Sequence, residues 1–147
     1  MPLLIQNKKV YFDYEVLEKF EAGIELFGFE VKSLKAKHGS ITGARVLVRG
    51  DEAFVVSMDI PAFQSHNIHT HYEPDRTRRL LLNKKELSYL AGKSQQRGLT
   101  IVPISVYTKG RLIKMEIGLV KGKKKFDKRE TIKKRDTERN MEREMKR

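Results

Sequence analysis

The segment from Lys121 to Arg147 constrains this chain more than any other feature. It holds 13 Lys and Arg against 6 Asp and Glu, a net of +7 out of +12 for all 147 residues. Its apolar content is Phe126, Ile132, Met141 and Met145. Such a stretch buries too little surface to offset the entropy of ordering itself, so it is expected to be disordered when free. Any hydrophobic core must therefore come from residues 1–120. The segment still carries a helical pattern, because Arg135, Arg139, Arg143 and Arg147 recur every four residues and would form one stripe on a helix. Like charges at that spacing repel, which points to a helix completed by a polyanion, and RNA is the polyanion expected. The Glu130–Lys134 and Glu142–Lys146 spacings each favour the helix by only about 0.3 kcal/mol, too little to hold it without a partner.

Residues 1–120 carry 18 basic and 13 acidic side chains and are long enough for one domain with a real core. The absence of Cys excludes disulfides and thiolate metal sites, and fits a reducing cytoplasm. The apolar run in Met1–Lys9 is too short for a secretory signal, and no run approaches the roughly 20 apolar residues needed to cross a bilayer. A soluble cytoplasmic protein is expected. The isoelectric point near 9.9 suits a nucleic acid or an anionic membrane. A membrane-surface role would need an amphipathic face bearing Trp, Phe or Leu, which the basic segment lacks.

Periodicity predicts a mainly β body with inserted helices. Phe20–Leu26 suits a strand, with Gly23 a bend or bulge. Phe29–Ala36 reads as a short amphipathic helix ended by His38-Gly39-Ser40. Ala44–Arg49 and Ala53–Met58 flank Gly50-Asp51-Glu52, a hairpin signature. Residues 62–79 read as a charged loop. Asn83–Gly92 reads as a helix with Asn83 at the N-cap and Glu86 completing a capping box. Leu99–Tyr107 and Leu112–Leu119 form a second strand pair across Lys109-Gly110, and Pro103 implies an edge or a bulge. Strict alternation at Ile113, Met115 and Ile117 makes one sheet face buried and the other wet. Five or six short strands with one or two helices suggest a small closed barrel of the oligonucleotide-binding kind.

Enzyme chemistry finds little support. His66, His69 and His71 lie near Asp59 and Glu73, but on a loop-like stretch that fixes no common face, and a solvated loop is the better reading. Gly118 and Gly122, with Lys121 between them, lack the Gly-Lys-Ser/Thr ending of a phosphate loop. The residues imply no catalytic centre, cofactor or metal. Arg76, Arg78 and Arg79 are candidates to grip an RNA backbone with forked donors, a solvated loop being the alternative. Leu80–Leu82 reads as core and Glu21 as an exposed strand residue. Phe126 is placed either to stack on a base or to fold back on the body.

Four strings coincide, in order and with matching spacing, with one family. Phe20-Glu-Ala-Gly23, Gly28–Leu34, Asp75–Asn83 and Lys121–Arg129 together resemble the SsrA-binding (SmpB) family, over nearly the whole chain from about Asn7. The resemblance implies a barrel related to the oligonucleotide-binding fold that holds the tRNA-like domain of transfer-messenger RNA. It also implies delivery of that RNA to stalled ribosomes for trans-translation. Its RNA-contact positions fall on Glu21, Leu81 and Asn83, a role that competes with the cap for the Asn83 side chain. The basic segment is implied to turn helical in the decoding centre and empty message channel of the small subunit, against rRNA. Lys123, Lys124, Phe126, Asp127, Lys128 and Arg129 would serve there, followed by Arg135, Arg139 and Arg143. The chain departs from the family pattern at Phe12, where His is usual, at Glu73-Pro74, and at Glu144-Met145-Lys146.

The organisation expected is thus a barrel over 1–120 and a basic tail over 121–147, acting as a monomer in complex with RNA. The alternative is a structural ribosomal or assembly protein whose tail threads rRNA.

Overall fold

A computed structural model describes residues 2–63 and 71–123. Along the chain run β1 (Leu3–Gln6), α1 (Val10–Asp13), β2 (Tyr14–Ile24), α2 (Gly28–Lys35), β3 (Arg45–Arg49) and β4 (Glu52–Val56). Then come β5 (Arg78–Leu81), α3 (Lys84–Ser94), β6 (Leu99–Lys109) and β7 (Leu112–Gly122). The strands form one antiparallel sheet in the order β1-β6-β7-β2-β5-β4-β3. The sheet curls until β3 lies against β6. Among the described residues no ladder joins that seam, so packing rather than hydrogen bonding closes the barrel.

Both expected hairpins form. Gly50 and Gly110, each at a φ of 61°, occupy the turns, where a side chain would be strained. The inward residues build the main core: Ala22, Val46, Val55, Leu80, Ile101, Val106, Met115, Ile117 and Leu119 from the strands, Leu34 from α2 and Leu90 from α3. A second, smaller cluster lies on the opposite face, where Val10 of α1 covers Val102, Ile104 and Val120.

The mainly β architecture with short helices matches the sequence reading, with particular differences. β2 begins at Tyr14, six residues before the expected start, and its bulge falls between Val16 and Glu18 rather than at Gly23. β1 and α1 were not anticipated, since four residues each give too few periods to read. Pro103 lies beyond the end of the β1 ladder and beside a bulge against β7, where its missing N–H is tolerated. β7 keeps pairing with β2 through Lys121 and Gly122, and Lys123 N–H donates to the Asp13 carbonyl at 3.0 Å.

Candidate nucleic-acid interface

The centre of the sheet sets one group of exposed side chains on a common outer face. In β2, Ala22 points inward, so its neighbours Glu21 and Gly23 belong to the outer face. The ladder pairs Gly23 with Leu81 of β5 and Ile24 with Leu80. Leu80 is buried and Leu81 is 48% exposed, although both belong to a run that reads as core. The ladder ends at Leu81, and Asn83 follows two residues on as the chain turns into α3. Gly23 makes room for Leu81, because a Cβ on the glycine would stand 3.2 Å from the Leu81 Cβ. Leu81 therefore lies over bare backbone.

Asn83 is also the N-cap of α3, as expected. Its Oδ1 accepts the Glu86 N–H at 2.8 Å, and the Glu86 carboxylate accepts the Asn83 N–H at 3.3 Å. The cap uses the oxygen and not the Nδ2 donors, so it does not by itself preclude the second role expected of this amide. Glu21 is held from β6. Its Oε2 accepts a hydrogen bond from the Tyr107 hydroxyl, and its Oε1 accepts one from Lys109 Nζ at 3.0 Å. The Tyr107 hydrogen bond, then Lys109, hold the Glu21 carboxyl below the usual carboxylate range. Burial and the facing carboxylate raise the Tyr107 phenol.

The three arginines separate. Arg79 alternates outward with Leu81, its side chain 45% exposed and 3.7 and 3.6 Å from Glu25 and Glu52. Arg78 alternates inward and is fully buried, which overturns its reading as a phosphate ligand. Its guanidinium donates to Glu30 Oε2 at 2.8 and 2.6 Å, to the carbonyls of Met58, Arg76 and Pro74, and to the Tyr72 hydroxyl. No donor is left to face RNA. Arg76 also grips Glu30, through Nε and Nη2, while its guanidinium lies 4.1 Å from the centre of the Phe27 ring. Burial would raise the Glu30 carboxyl, but Arg76, the Phe27 N–H and Arg78 outweigh it and hold the group below its ordinary value. Burial and Glu30 together push the Tyr72 phenol up to about 12. This hub fastens α2 to the start of β5, and so fixes the strand that carries Arg79 and Leu81.

A family model described as SmpB protein matches residues 4–147. The chain belongs to the SmpB family. An SsrA-binding protein of Thermosipho africanus is 45% identical over 148 residues, covering 100% of this chain and 99% of its own length. Those of Gloeothece citriformis and Elusimicrobium minutum are 44% and 49% identical, covering 99% and 95% of this chain and 94% and 88% of their own lengths. Among solved structures, a chain from the work reported as "tmRNA-SmpB: a journey to the center of the bacterial ribosome" is similar with a TM-score of 0.70 and 39% identity. That match covers 85% of this chain and 87% of the other.

Within this SmpB fold the remaining expectations fall as follows. Lys123 is tied to α1, its Nζ donating to the Tyr11 carbonyl at 2.9 Å. Lys124, Phe126, Asp127, Lys128, Arg129, Arg135, Arg139 and Arg143 lie outside the described residues, as do His66 and His69. Among the described residues no group of three or more His, Cys, Asp or Glu is arranged to hold a metal ion, and no helix is long and apolar enough to cross a membrane. Sequence reasoning missed Tyr107 and Lys109, which stand 86 and 88 residues from Glu21. It also missed Glu30, whose one local signal is its position three residues after Phe27, where it accepts the Phe27 N–H at 2.8 Å.

Proposed function

We propose that the chain is an RNA-binding adaptor that holds the tRNA-like domain of transfer-messenger RNA and delivers it to stalled ribosomes in the cytoplasm. The observation that carries this reading is the outer face that Glu21 shares with Leu81, with Asn83 two residues past the end of β5. Two separate strings of the sequence meet on that strand pair, and with Asn83 they supply an acceptor, an apolar surface and a donor. Arg79 on the same face adds a cation that can hold a phosphate. The relatives named SsrA-binding proteins and the related chain in the tmRNA-SmpB work support the same partner. In this reading the basic segment enters the decoding centre and message channel of the small subunit. Lys123, Lys124, Phe126, Asp127, Lys128 and Arg129 contact rRNA first, and Arg135, Arg139 and Arg143 follow along a helix formed on that rRNA. The protein acts as a monomer on its RNA.

The test compares two sets of substitutions in the full chain, using RNA affinity and peptide tagging in a reconstituted translation system. Leu81→Asp weakens binding to the tRNA-like domain and with it tagging. Joint replacement of Asp127, Lys128 and Arg129 by Ala leaves that affinity intact and removes tagging. A chain that still tags after the triple replacement refutes the two-part division of labour. Normal RNA affinity in Leu81→Asp refutes the binding face. Stoichiometric retention on washed, translating ribosomes would instead favour a structural ribosomal protein.

A further inference from the structure

Glu21 is an exposed glutamate on a strand, and such a side chain ordinarily samples several rotamers. Here both of its oxygens are restrained, by two donors from a strand that is not its neighbour. β6 is separated from β2 by β7, yet Tyr107 reaches Oε2 and Lys109 reaches Oε1. A carboxylate oxygen accepts more than one hydrogen bond, so each keeps capacity for a further donor. We propose that Tyr107 and Lys109 are positioning residues that hold Glu21 as a fixed double acceptor for the Watson–Crick edge of an unpaired guanine.

The choice of base follows from donor chemistry and rests on the reading of Glu21 as an RNA contact. A fixed carboxylate with two open acceptor positions selects a ligand presenting two adjacent donors. Within an RNA strand the 3′ oxygen is esterified, so a ribose offers only its 2′ hydroxyl. Adenine and cytosine set their amino group beside a ring nitrogen that accepts, which repels a carboxylate. Uracil flanks its single N–H with two carbonyls. Guanine alone offers N1–H and the N2 amino group side by side. Leu81, lying over Gly23 in the adjacent strand, supplies an apolar surface for the face of the same base. The surrounding charges agree with this assignment. Tyr107, Lys109 and Lys114 all favour the ionised carboxylate. Glu116, across the ladder from Glu21, is itself approached by Lys19 at 3.9 Å.

The experiment uses the full chain and a tRNA-like-domain RNA in which each unpaired guanosine is replaced singly by inosine, which keeps N1–H and lacks the N2 amino group. The unsubstituted protein loses about tenfold in affinity at one position. Glu21→Gln lowers affinity and abolishes that penalty, because an amide presents one acceptor oxygen. Tyr107→Phe and Lys109→Met each shrink the penalty, and Lys109→Arg restores it, as a merely structural role would not require. Lys109 is exposed, so its variants keep the test open whatever Tyr107→Phe does to stability. A full penalty retained in both Tyr107→Phe and Lys109→Met overturns the positioning role and leaves Glu21 as an RNA contact. If no unpaired position is inosine-sensitive, the guanine assignment falls. Unchanged RNA affinity in Glu21→Gln removes the reading beneath both.

Discussion

Replacing Arg78 by Met tests whether the buried ionic hub, rather than RNA contact, explains that arginine. Arg78 and Glu30 are both fully buried, and Arg78 satisfies Glu30 Oε2 together with three backbone carbonyls and Tyr72. Methionine fills similar volume but leaves the Met58 carbonyl and part of the Glu30 charge without a donor, and leaves the Pro74 carbonyl with the Ile60 N–H alone. Breaking one side of a buried pair costs about 3–5 kcal/mol, against a total stability of about 5–15 kcal/mol for a domain. Urea denaturation followed by circular dichroism should show a midpoint lowered by a large fraction of its value, with the slope unchanged. The companion change Glu30→Gln in the Arg78→Met background should recover part of the loss, since it removes the stranded charge. The folded Glu30 carboxyl sits below its ordinary 4.5, so its contribution is present above that pH and is lost as pH falls through the folded value. Acid unfolding of Glu30→Gln should accordingly be less steep than that of the parent. A loss under about 1 kcal/mol in Arg78→Met would refute the hub as a main support of the fold.

Further outcomes follow from the binding face. Gly23→Val places a branched side chain where even a Cβ meets Leu81 at 3.2 Å. RNA affinity, measured by filter binding, should fall while the strand pair survives in the circular dichroism spectrum. Asn83→Ser keeps an N-cap acceptor for the Glu86 N–H and removes the Nδ2 donors, so it should preserve thermal stability and weaken RNA binding. Asn83→Ala should lose both, with about 1 kcal/mol of stability gone for the cap. Parental RNA affinity in Asn83→Ser, with binding weakened only in Asn83→Ala, would show that the cap is the whole role of Asn83.

The sequence was most informative where a signal is local. Asn83 and Glu86 are three residues apart, so the cap and the start of α3 could be read directly, as could the hairpin turns at Gly50 and Gly110. Arg78-Arg79-Leu80-Leu81 defeated the same reasoning, because a strand that buries an arginine and exposes a leucine inverts the usual pattern. Arg78 goes inward because Glu30, 48 residues earlier in the chain, awaits it there. Glu21 was unremarkable as an isolated strand residue and entered through family resemblance. Its neighbours Tyr107 and Lys109 became visible only once β6, β7 and β2 lay side by side, since pairing across a sheet leaves no mark in local spacing.

Whether the outer face around Leu81 holds one folded RNA can be measured in the cell. A photoreactive benzoylphenylalanine in place of Leu81, irradiated in cells expressing the full chain, labels what lies on that face, and sequencing identifies it. Crosslinks concentrated in the tRNA-like end of a single structured small RNA are expected. Crosslinks confined to rRNA of translating ribosomes, with that small RNA absent, would show that the face does not hold it.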